Sequence, residues 1–304
     1  MVKLTSKGAY AEAVMLYNTA IQTKKPKVLV EGDFDRKVLE RICNKKLIDV
    51  RSYVWDSNDK KGDLINLVKK LDDLNRRKDF QIFVVGVVDA DYDGILDKLY
   101  DDSKLLPYAE NIFDTSLSTD MNLLLISDLS LEKYLSDESL SVSEINNVIT
   151  MVSFFGALRT VKKRYEQKVK KRYEQKRDYK VYIPLSDLRK KIVQNNIKTP
   201  QNIKQLVEEL EDISPPNTKR FFEDARKHKR LEKVLNRFTN ESIDFHQYIN
   251  GHDLSMFMKF FGAKGHMREI EERLIHSAEL NDIKQTKLFK QLWDWGQLHS
   301  IDLF

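Results

Sequence analysis

Two apolar runs that each end in acidic residues constrain this chain more than any other feature. The first, Lys27–Val30, leads into Glu31 and a glycine, and the second, Phe83–Val88, leads into an Asp-x-Asp-x-Asp segment that begins at Asp89. Both runs are continuous and rich in β-branched residues, which is typical of strands buried on both faces of a parallel sheet. The sequence therefore predicts an α/β fold with carboxylates at the carboxyl ends of two strands.

The acids of the two runs are expected to meet at one edge of the sheet, because open α/β sheets bind ligands outside the carboxyl ends of their strands. If the two strands are neighbours, four carboxylates converge there: Glu31, Asp89, Asp91 and Asp93. A divalent cation with hard oxygen ligands would best relieve their repulsion, so the spacing predicts a site for Mg²⁺ or Mn²⁺. An EF-hand calcium loop counted from Asp89 is excluded, because its twelfth position is Tyr100 and not a glutamate.

The two signatures together resemble the TOPRIM domain, which is shared by topoisomerases, primases, RNA-processing nucleases and overcoming-lysogenization-defect nucleases. The matching positions are Glu31-Gly32, Asp35, Asp89, Asp91 and Asp93. The resemblance implies that Glu31 acts as general acid/base, with Asp35 in the catalytic set. It also implies that the three later aspartates and Glu31 hold Mg²⁺.

The pattern of the elements changes along the chain. Strand and helix patterns alternate from about Lys27 to Tyr134, as in a parallel α/β sheet, and helical patterns follow almost exclusively after about Ser136. We therefore predict a TOPRIM domain over residues 1–135, with a Rossmann-like parallel sheet and flanking helices. A mainly α-helical domain over residues 136–304 is predicted to carry a basic arm at about 160–183. Within this domain, helices are predicted over residues 217–237, where residues 219–237 form a second basic surface, and over residues 282–299.

Composition narrows the class of protein. No apolar run approaches the roughly 20 residues that span a bilayer, and the first ten residues lack the apolar core of a signal peptide, which predicts a cytoplasmic protein without a membrane partner. A single cysteine, Cys43, excludes disulfide frameworks and the zinc-binding cysteines of bacterial primases. A strand-passing topoisomerase is not expected, because strand passage needs further domains and the residues after the TOPRIM domain are too few to form them.

A duplicated basic segment suggests a nucleic-acid contact. Lys-Lys-Arg-Tyr-Glu-Gln-Lys occurs twice with a period of eight, and residues 161–180 hold ten Lys or Arg against three acids, while the whole chain has a net charge of only +5. The segment is either a solvated surface or an arm that grips phosphates and whose tyrosines pack or stack on bases. The candidate phosphate-binding residues are Lys162, Lys163, Arg164, Lys170, Lys171 and Arg172.

Four further residues have two interpretations each. Lys60 and Lys61 lie before a predicted helix that begins at Asp63, where they either bind phosphate or belong to a solvated turn. Asp120 lies where related TOPRIM proteins have a Thr-Asp followed by a glutamate that is missing here, so it either supports the metal or caps a helix. His252 binds a metal or a phosphate, or is structural, and Asp253 is placed to cap the next helix.

The domain order and Gly251-His252-Asp253 resemble AriB-type TOPRIM nucleases, the effectors of PARIS phage-defence systems. This resemblance implies a toxin that cleaves transfer RNA after release from an ABC-type ATPase sensor, and it allows a homodimer. The expected activity is Mg²⁺-dependent phosphodiester cleavage, with RNA favoured over DNA. The alternatives are a DNA-cleaving enzyme of the overcoming-lysogenization-defect type and a non-catalytic TOPRIM module that docks a partner.

Overall fold

The computed structural model describes residues 3–4, 8–52, 54–55, 60–78, 81–89, 111–115, 140–172, 181, 183, 185–212, 214–240, 247–278 and 280–304. These residues form two compact units. We call the first the sheet unit; it contains the described residues up to Asp89, residues 111–115 and the chain from residue 275 to the C-terminus. The second, the helical unit, contains the described residues between 140 and 274.

Six strands occur in the described part of the chain: β1 Lys3–Leu4, β2 Lys27–Val30, β3 Asp49–Ser52, β4 Val54–Trp55, β5 Val84–Val88 and β6 Ile112–Asp114. Four of them form a sheet in the order β3-β2-β5-β6, and every neighbouring pair is parallel. The remaining two, β1 and β4, pair in parallel as a separate ribbon. The prediction of a parallel α/β sheet is therefore confirmed, with the two acid-tipped strands at its centre.

The described residues also contain twelve helices. Those that precede the helical unit are α1 Gly8–Thr23, α2 Asp33–Ile42 and α3 Lys60–Arg77. The helical unit holds α4 Val142–Arg172, α5 Leu185–Gln194, α6 Pro200–Asp212, α7 Pro216–Lys227, α8 Arg230–Asn240, α9 Gly251–Phe261 and α10 Met267–Ser277, the last turn of which returns to the sheet unit. The chain ends with α11 Leu280–Gln285 and α12 Lys287–Leu298.

Helices cover both faces of the sheet. Because successive side chains of a strand point to opposite faces, Leu29 joins the core formed with α1 and α3, whereas Val28 and Val30 join the core formed with α2 and α12. Burial on both faces explains why β2 and β5 read as continuous apolar runs. The sheet unit is thus a three-layer α/β/α arrangement that fixes the ends of the two central strands.

The C-terminal helices belong to the sheet unit. Leu288, Leu292 and Trp295 of α12 pack in the same core as strand residues Val85 and Val87. Their helical pattern resembles that of the residues before them, and it gives no sign of this packing. The reason is that the last amphipathic helix covers a sheet face whose residues lie some 200 positions earlier in the chain, a distance that a local pattern does not report.

A single long helix, α4, is the centre of the helical unit. Its middle part is buried on nearly all sides, from Met151 to Val161, where α8 and α9 pack against it. Ser141 and Glu144 form a capping box at its start, since the Ser141 N–H donates to Glu144 Oε2 at 2.7 Å and the Glu144 N–H donates to Ser141 Oγ at 3.3 Å. The helix continues through the first basic repeat, which is therefore not a separate arm over residues 160–172.

Two predicted helices are interrupted in the structure. The basic helix predicted over residues 217–237 is divided into α7 and α8, because Lys229 adopts a left-handed φ of 46° between them. The helix predicted over residues 282–299 is likewise divided into α11 and α12 at Thr286. In both cases a continuous amphipathic pattern spans two helices that are oriented by packing rather than by local sequence.

Candidate active site

The carboxyl ends of β2 and β5 bring Glu31 and Asp89 together. The two strands pair in parallel with Val30 opposite Val87, so that Glu31 and Asp89 both follow their strand ends at the same edge of the sheet. The main-chain N–H of Asp89 donates a hydrogen bond to Glu31 Oε1 at 2.9 Å. Both residues are half-buried. The contact joins the Glu31 carboxylate to the main chain of Asp89, and the convergence of the two carboxylates on a metal stays a prediction.

Lys61 also contacts the strand end. Its Nζ donates a hydrogen bond of 2.7 Å to the main-chain carbonyl of Asp89. Helix α3 begins at Lys60, three residues earlier than predicted, so both lysines lie in its first turn. Lys61 is half-buried, whereas Lys60 is exposed. The two neighbouring lysines, for which the sequence left the same two interpretations open, therefore lie in different environments.

Asp35 stabilises the start of α2. Its Oδ2 accepts a hydrogen bond of 3.0 Å from the main-chain N–H of Gly32, which is the N-cap residue of that helix. A carboxylate in the first helical turn also interacts favourably with the helix dipole. Asp35 thereby fixes the turn that directly follows Glu31, and its place in the catalytic set stays a prediction.

The oxygen donors at this edge fit a hard divalent cation. Glu31 and Asp89 are carboxylates from adjacent strand ends, and oxygen donors of this kind suit Mg²⁺ or Mn²⁺ rather than a soft metal. Among the residues that the structure describes, no three His, Cys, Asp or Glu side chains are grouped to hold a metal. Asp91, Asp93 and Asp120, the other predicted ligands, lie outside the described residues.

The first basic repeat lies on α4 and is partly committed to packing. The ring of Tyr165 packs edge-on against Phe221, with 5.4 Å between the ring centroids. Glu166 accepts a hydrogen bond of 2.9 Å from the N–H of Val181 and lies 3.8 Å from the Nζ of Lys162. Of the two roles open for the tyrosines, Tyr165 therefore has the packing role.

The six predicted phosphate-binding residues of the repeats are described to different extents. Lys162, Lys163 and Arg164 are half-buried on α4. For Lys170, Lys171 and Arg172 only the helical backbone at the end of α4 is described. Since the first three side chains lie against the helical unit, this surface presents less of its charge to solvent than the sequence indicates.

A second basic surface is more exposed. Lys227 at the end of α7, Lys229 in the turn that follows and Lys233 in the first turn of α8 are exposed to solvent, and we call these three residues the basic elbow. Three of the neighbouring acids are engaged with other residues: Asp224 binds Arg230 at 2.6 Å, Glu232 binds Lys204 at 3.2 Å, and Glu211 binds Arg226. The sequence marked residues 219–237 as basic, but the elbow itself arises from the break at Lys229.

Gly251-His252-Asp253 opens α9 and is mainly structural. Asp253 is fully buried, and its carboxylate binds Arg159 at 3.0 Å and also Arg189. The sequence suggested that Asp253 caps this helix. The N-cap residue is instead Asn250, whose side chain accepts a hydrogen bond of 3.3 Å from the Asp253 N–H. The carboxylate instead holds α4 and α5 against α9.

His252 points away from that buried ion cluster. It is 60% exposed, and its Nδ1 lies 2.7 Å from Glu271 Oε1 on α10. This pairing favours the structural interpretation of His252 over a role in binding a metal or a phosphate. The arginine partners of Asp253 could not be found from the sequence, since Arg159 lies 94 residues away.

Comparison of the chain with protein-family models, with curated proteins and with solved structures finds no match. Within the described ranges, no helix is both long and apolar enough to cross a membrane. The edge of the sheet where Glu31, Asp89 and Lys61 meet is the candidate functional site of this chain.

Proposed function

We propose that this protein is a Mg²⁺-dependent endonuclease of the TOPRIM type. The observation that carries the proposal is the contact between Glu31 and the main chain of Asp89, which joins the two acidic signatures at adjacent strand ends. Catalytic and ligand-binding residues of open parallel sheets lie at this edge. A glutamate and an aspartate placed there match the two positions through which TOPRIM nucleases act.

Each residue has a distinct role in this proposal. Asp89, with Asp91, Asp93 and Glu31, would hold Mg²⁺, which when bound supplies Lewis acidity at a phosphodiester. Glu31 accepts or returns a proton at its carboxylate, and the Asp89 N–H keeps that carboxylate in one orientation. Asp35 holds the turn after Glu31.

The proposed substrate is RNA, and in particular transfer RNA. The basic elbow and the first repeat on α4 supply positive charge that binds any nucleic-acid backbone. The preference for RNA over DNA follows from the resemblance to AriB, the effector of the PARIS systems. DNA cleavage of the overcoming-lysogenization-defect type is the alternative within the same reaction class.

The proposed biological role is that of a phage-defence effector. It rests on the order of the two parts and on Gly251-His252-Asp253, which organises the helical unit through Arg159 and Arg189. The proposed protein partner is an ABC-type ATPase that restrains the nuclease until infection, and a second copy of the chain is compatible with this role. Co-purification with the product of a neighbouring ATPase gene would support this assignment.

A cleavage assay tests the enzymatic proposal. Purified protein is incubated with end-labelled transfer RNA, single-stranded RNA and double-stranded DNA, with Mg²⁺, with Mn²⁺ and with a chelator. Glu31→Gln is the control, because the glutamine oxygen still accepts the Asp89 N–H. We expect cleavage of RNA that needs the metal and disappears in the variant. Equal cleavage by Glu31→Gln would show that Glu31 is not the acid/base. No cleavage by the wild type on any substrate would favour a non-catalytic module.

A further inference from the structure

The two peptide groups on either side of the Asp89 Cα are held by opposite charges. The N–H of Asp89 donates to the Glu31 carboxylate at 2.9 Å, and its C=O accepts from the Lys61 ammonium at 2.7 Å. Hydrogen bonds with one ionised partner are about twice as strong as those between neutral groups. Together they fix the backbone of Asp89, and with it the direction in which its carboxylate leaves the strand.

The position of Lys61 is unfavourable for the helix to which it belongs. Both Lys60 and Lys61 lie in the first turn of α3, where the helix dipole favours acids and disfavours cations. Burying part of an ammonium adds a further cost unless the charge is hydrogen-bonded. A residue type that conflicts with its local structure is a common mark of a functional position.

We propose that Lys61 is a positioning residue, which orients Asp89 for metal binding through the Asp89 carbonyl. This inference rests on the proposed function in that it takes Asp89 as a metal ligand. The inference gives Lys61 a role that Lys60 does not have, although the sequence made both lysines candidates for phosphate binding. Partners of this kind, which orient a metal ligand without touching the metal, typically change metal affinity by about 10–100-fold when removed.

The two possible roles of Lys61, as a positioning residue and as a nearby positive charge, predict opposite changes in metal affinity when Lys61 is replaced. If Lys61 acted only as a nearby positive charge, its removal would reduce the repulsion of a cation and tighten metal binding. If it holds the Asp89 carbonyl, its removal loosens the strand end and weakens metal binding. The sign of the change in affinity therefore decides between the two roles.

The experiment measures Mn²⁺ binding to the full-length chain by calorimetry without nucleic acid. Lys61→Met keeps the apolar stem and removes both charge and donor, Lys61→Arg keeps both, and Lys60→Met is the matched control. We expect Lys61→Met to raise the dissociation constant by about 10-fold or more. Lys61→Arg should restore most of the affinity, and Lys60→Met should leave it unchanged. Unchanged or tighter binding by Lys61→Met would overturn the inference.

A second readout needs neither metal nor substrate. Hydrogen exchange at the Asp89 amide, followed by NMR in metal-free protein, should be faster in Lys61→Met and unaltered in Lys60→Met. Lys61→Leu, which also lacks charge and donor, replaces Lys61→Met if the latter fails to fold. Wild-type protein that cleaves no nucleic acid would refute the nuclease proposal and leave this result standing. Unchanged Asp89 exchange in a metal-binding, cleaving enzyme would refute only the role of Lys61.

Discussion

The Glu31 carboxylate accepts the main-chain N–H of Asp89 at 2.9 Å, across two strands and 58 positions of sequence. The contact has two consequences, because it holds a candidate acid/base in one orientation and satisfies a half-buried amide. Two substitutions at Glu31 separate these consequences. Glu31→Gln keeps an oxygen that accepts the Asp89 N–H, and Glu31→Ala removes it.

Glu31→Gln is expected to reduce cleavage by at least about 100-fold, because it removes the proton-transferring group. Its free energy of unfolding should stay close to that of the wild type, since the glutamine oxygen accepts the same hydrogen bond. Glu31→Ala should lose activity and also about 1–3 kcal/mol of stability, because the Asp89 N–H is left without an acceptor. Cleavage kinetics and urea denaturation measure the two effects. If Glu31→Gln were as unstable to urea as Glu31→Ala, the negative charge of Glu31, and not its hydrogen bond to the Asp89 N–H, would be what stabilises the fold.

Addition of metal is expected to stabilise the folded protein. At a concentration 100 times the dissociation constant, a ligand that binds only the native state adds about 2.7 kcal/mol. The melting temperature should therefore rise with millimolar Mg²⁺ or Mn²⁺ in the wild type and rise much less in Asp89→Asn. An exposed carboxylate on the sheet unit, Asp302, provides the control substitution to asparagine. If neither Mg²⁺ nor Mn²⁺ changed the melting temperature of the wild type, the predicted metal site would be wrong.

A buried ion pair at the other end of β2 makes stability depend on pH. Lys27 is fully buried, and its Nζ lies 2.6 Å from Asp49 Oδ2, which also accepts from Arg51 Nε at 2.9 Å. Burial by itself would raise the pKa of Asp49, but the hydrogen bond from Lys27 and the charge of Arg51 outweigh it and hold the pKa below its ordinary value of 3.8. The pair therefore stabilises the fold above pH 3.8, and this contribution is lost as the pH falls through the lowered pKa.

Asp49→Asn should accordingly destabilise the protein by about 3–5 kcal/mol at pH 7, because Lys27 keeps a buried charge without its carboxylate. The difference from the wild type should shrink below pH 3.8. Urea denaturation between pH 3 and pH 7 measures both. If the difference in free energy of unfolding between Asp49→Asn and the wild type were the same at every pH, the pair would stabilise the fold through packing and not through charge.

The basic elbow is expected to contribute to nucleic-acid affinity and not to chemistry. Replacing Lys227, Lys229 and Lys233 by serine removes three proposed phosphate contacts, which should flatten the log–log dependence of affinity on salt by about 2 for a single strand. Exposed lysines 284, 287 and 290 of the sheet unit, replaced in the same way, are the matched control. Filter binding from 50 to 300 mM salt gives the slope. An identical slope in both triple variants would leave the elbow as a solvated surface.

Deletion of one basic repeat, by contrast, cannot separate binding from folding. Residues 162–169 include Tyr165, which packs on Phe221, and the buried Val169. Glu166 in the same stretch holds the Val181 N–H. Removing these residues would shorten α4 and open the core of the helical unit, so substitutions on the elbow are the sharper test.

The central sheet and one of its edges could be predicted from the sequence. Continuous β-branched runs predicted β2 and β5, and their terminal acids predicted that Glu31 and Asp89 would approach each other. These features are local, because a strand buried on both faces needs an unbroken apolar run and parallel neighbours align their carboxyl ends. The membership of Asp91 and Asp93 in the site stays a prediction.

The other features depend on how distant elements of the chain pack together. The contact of Lys61 with Asp89, the packing of α12 on the sheet and the burial of Asp253 between two arginines all join residues that are distant in the chain. The break at Lys229 is likewise invisible in a continuous amphipathic pattern. Periodicity reports which residues of one element face a core, whereas the partner of each face is set by how the elements pack.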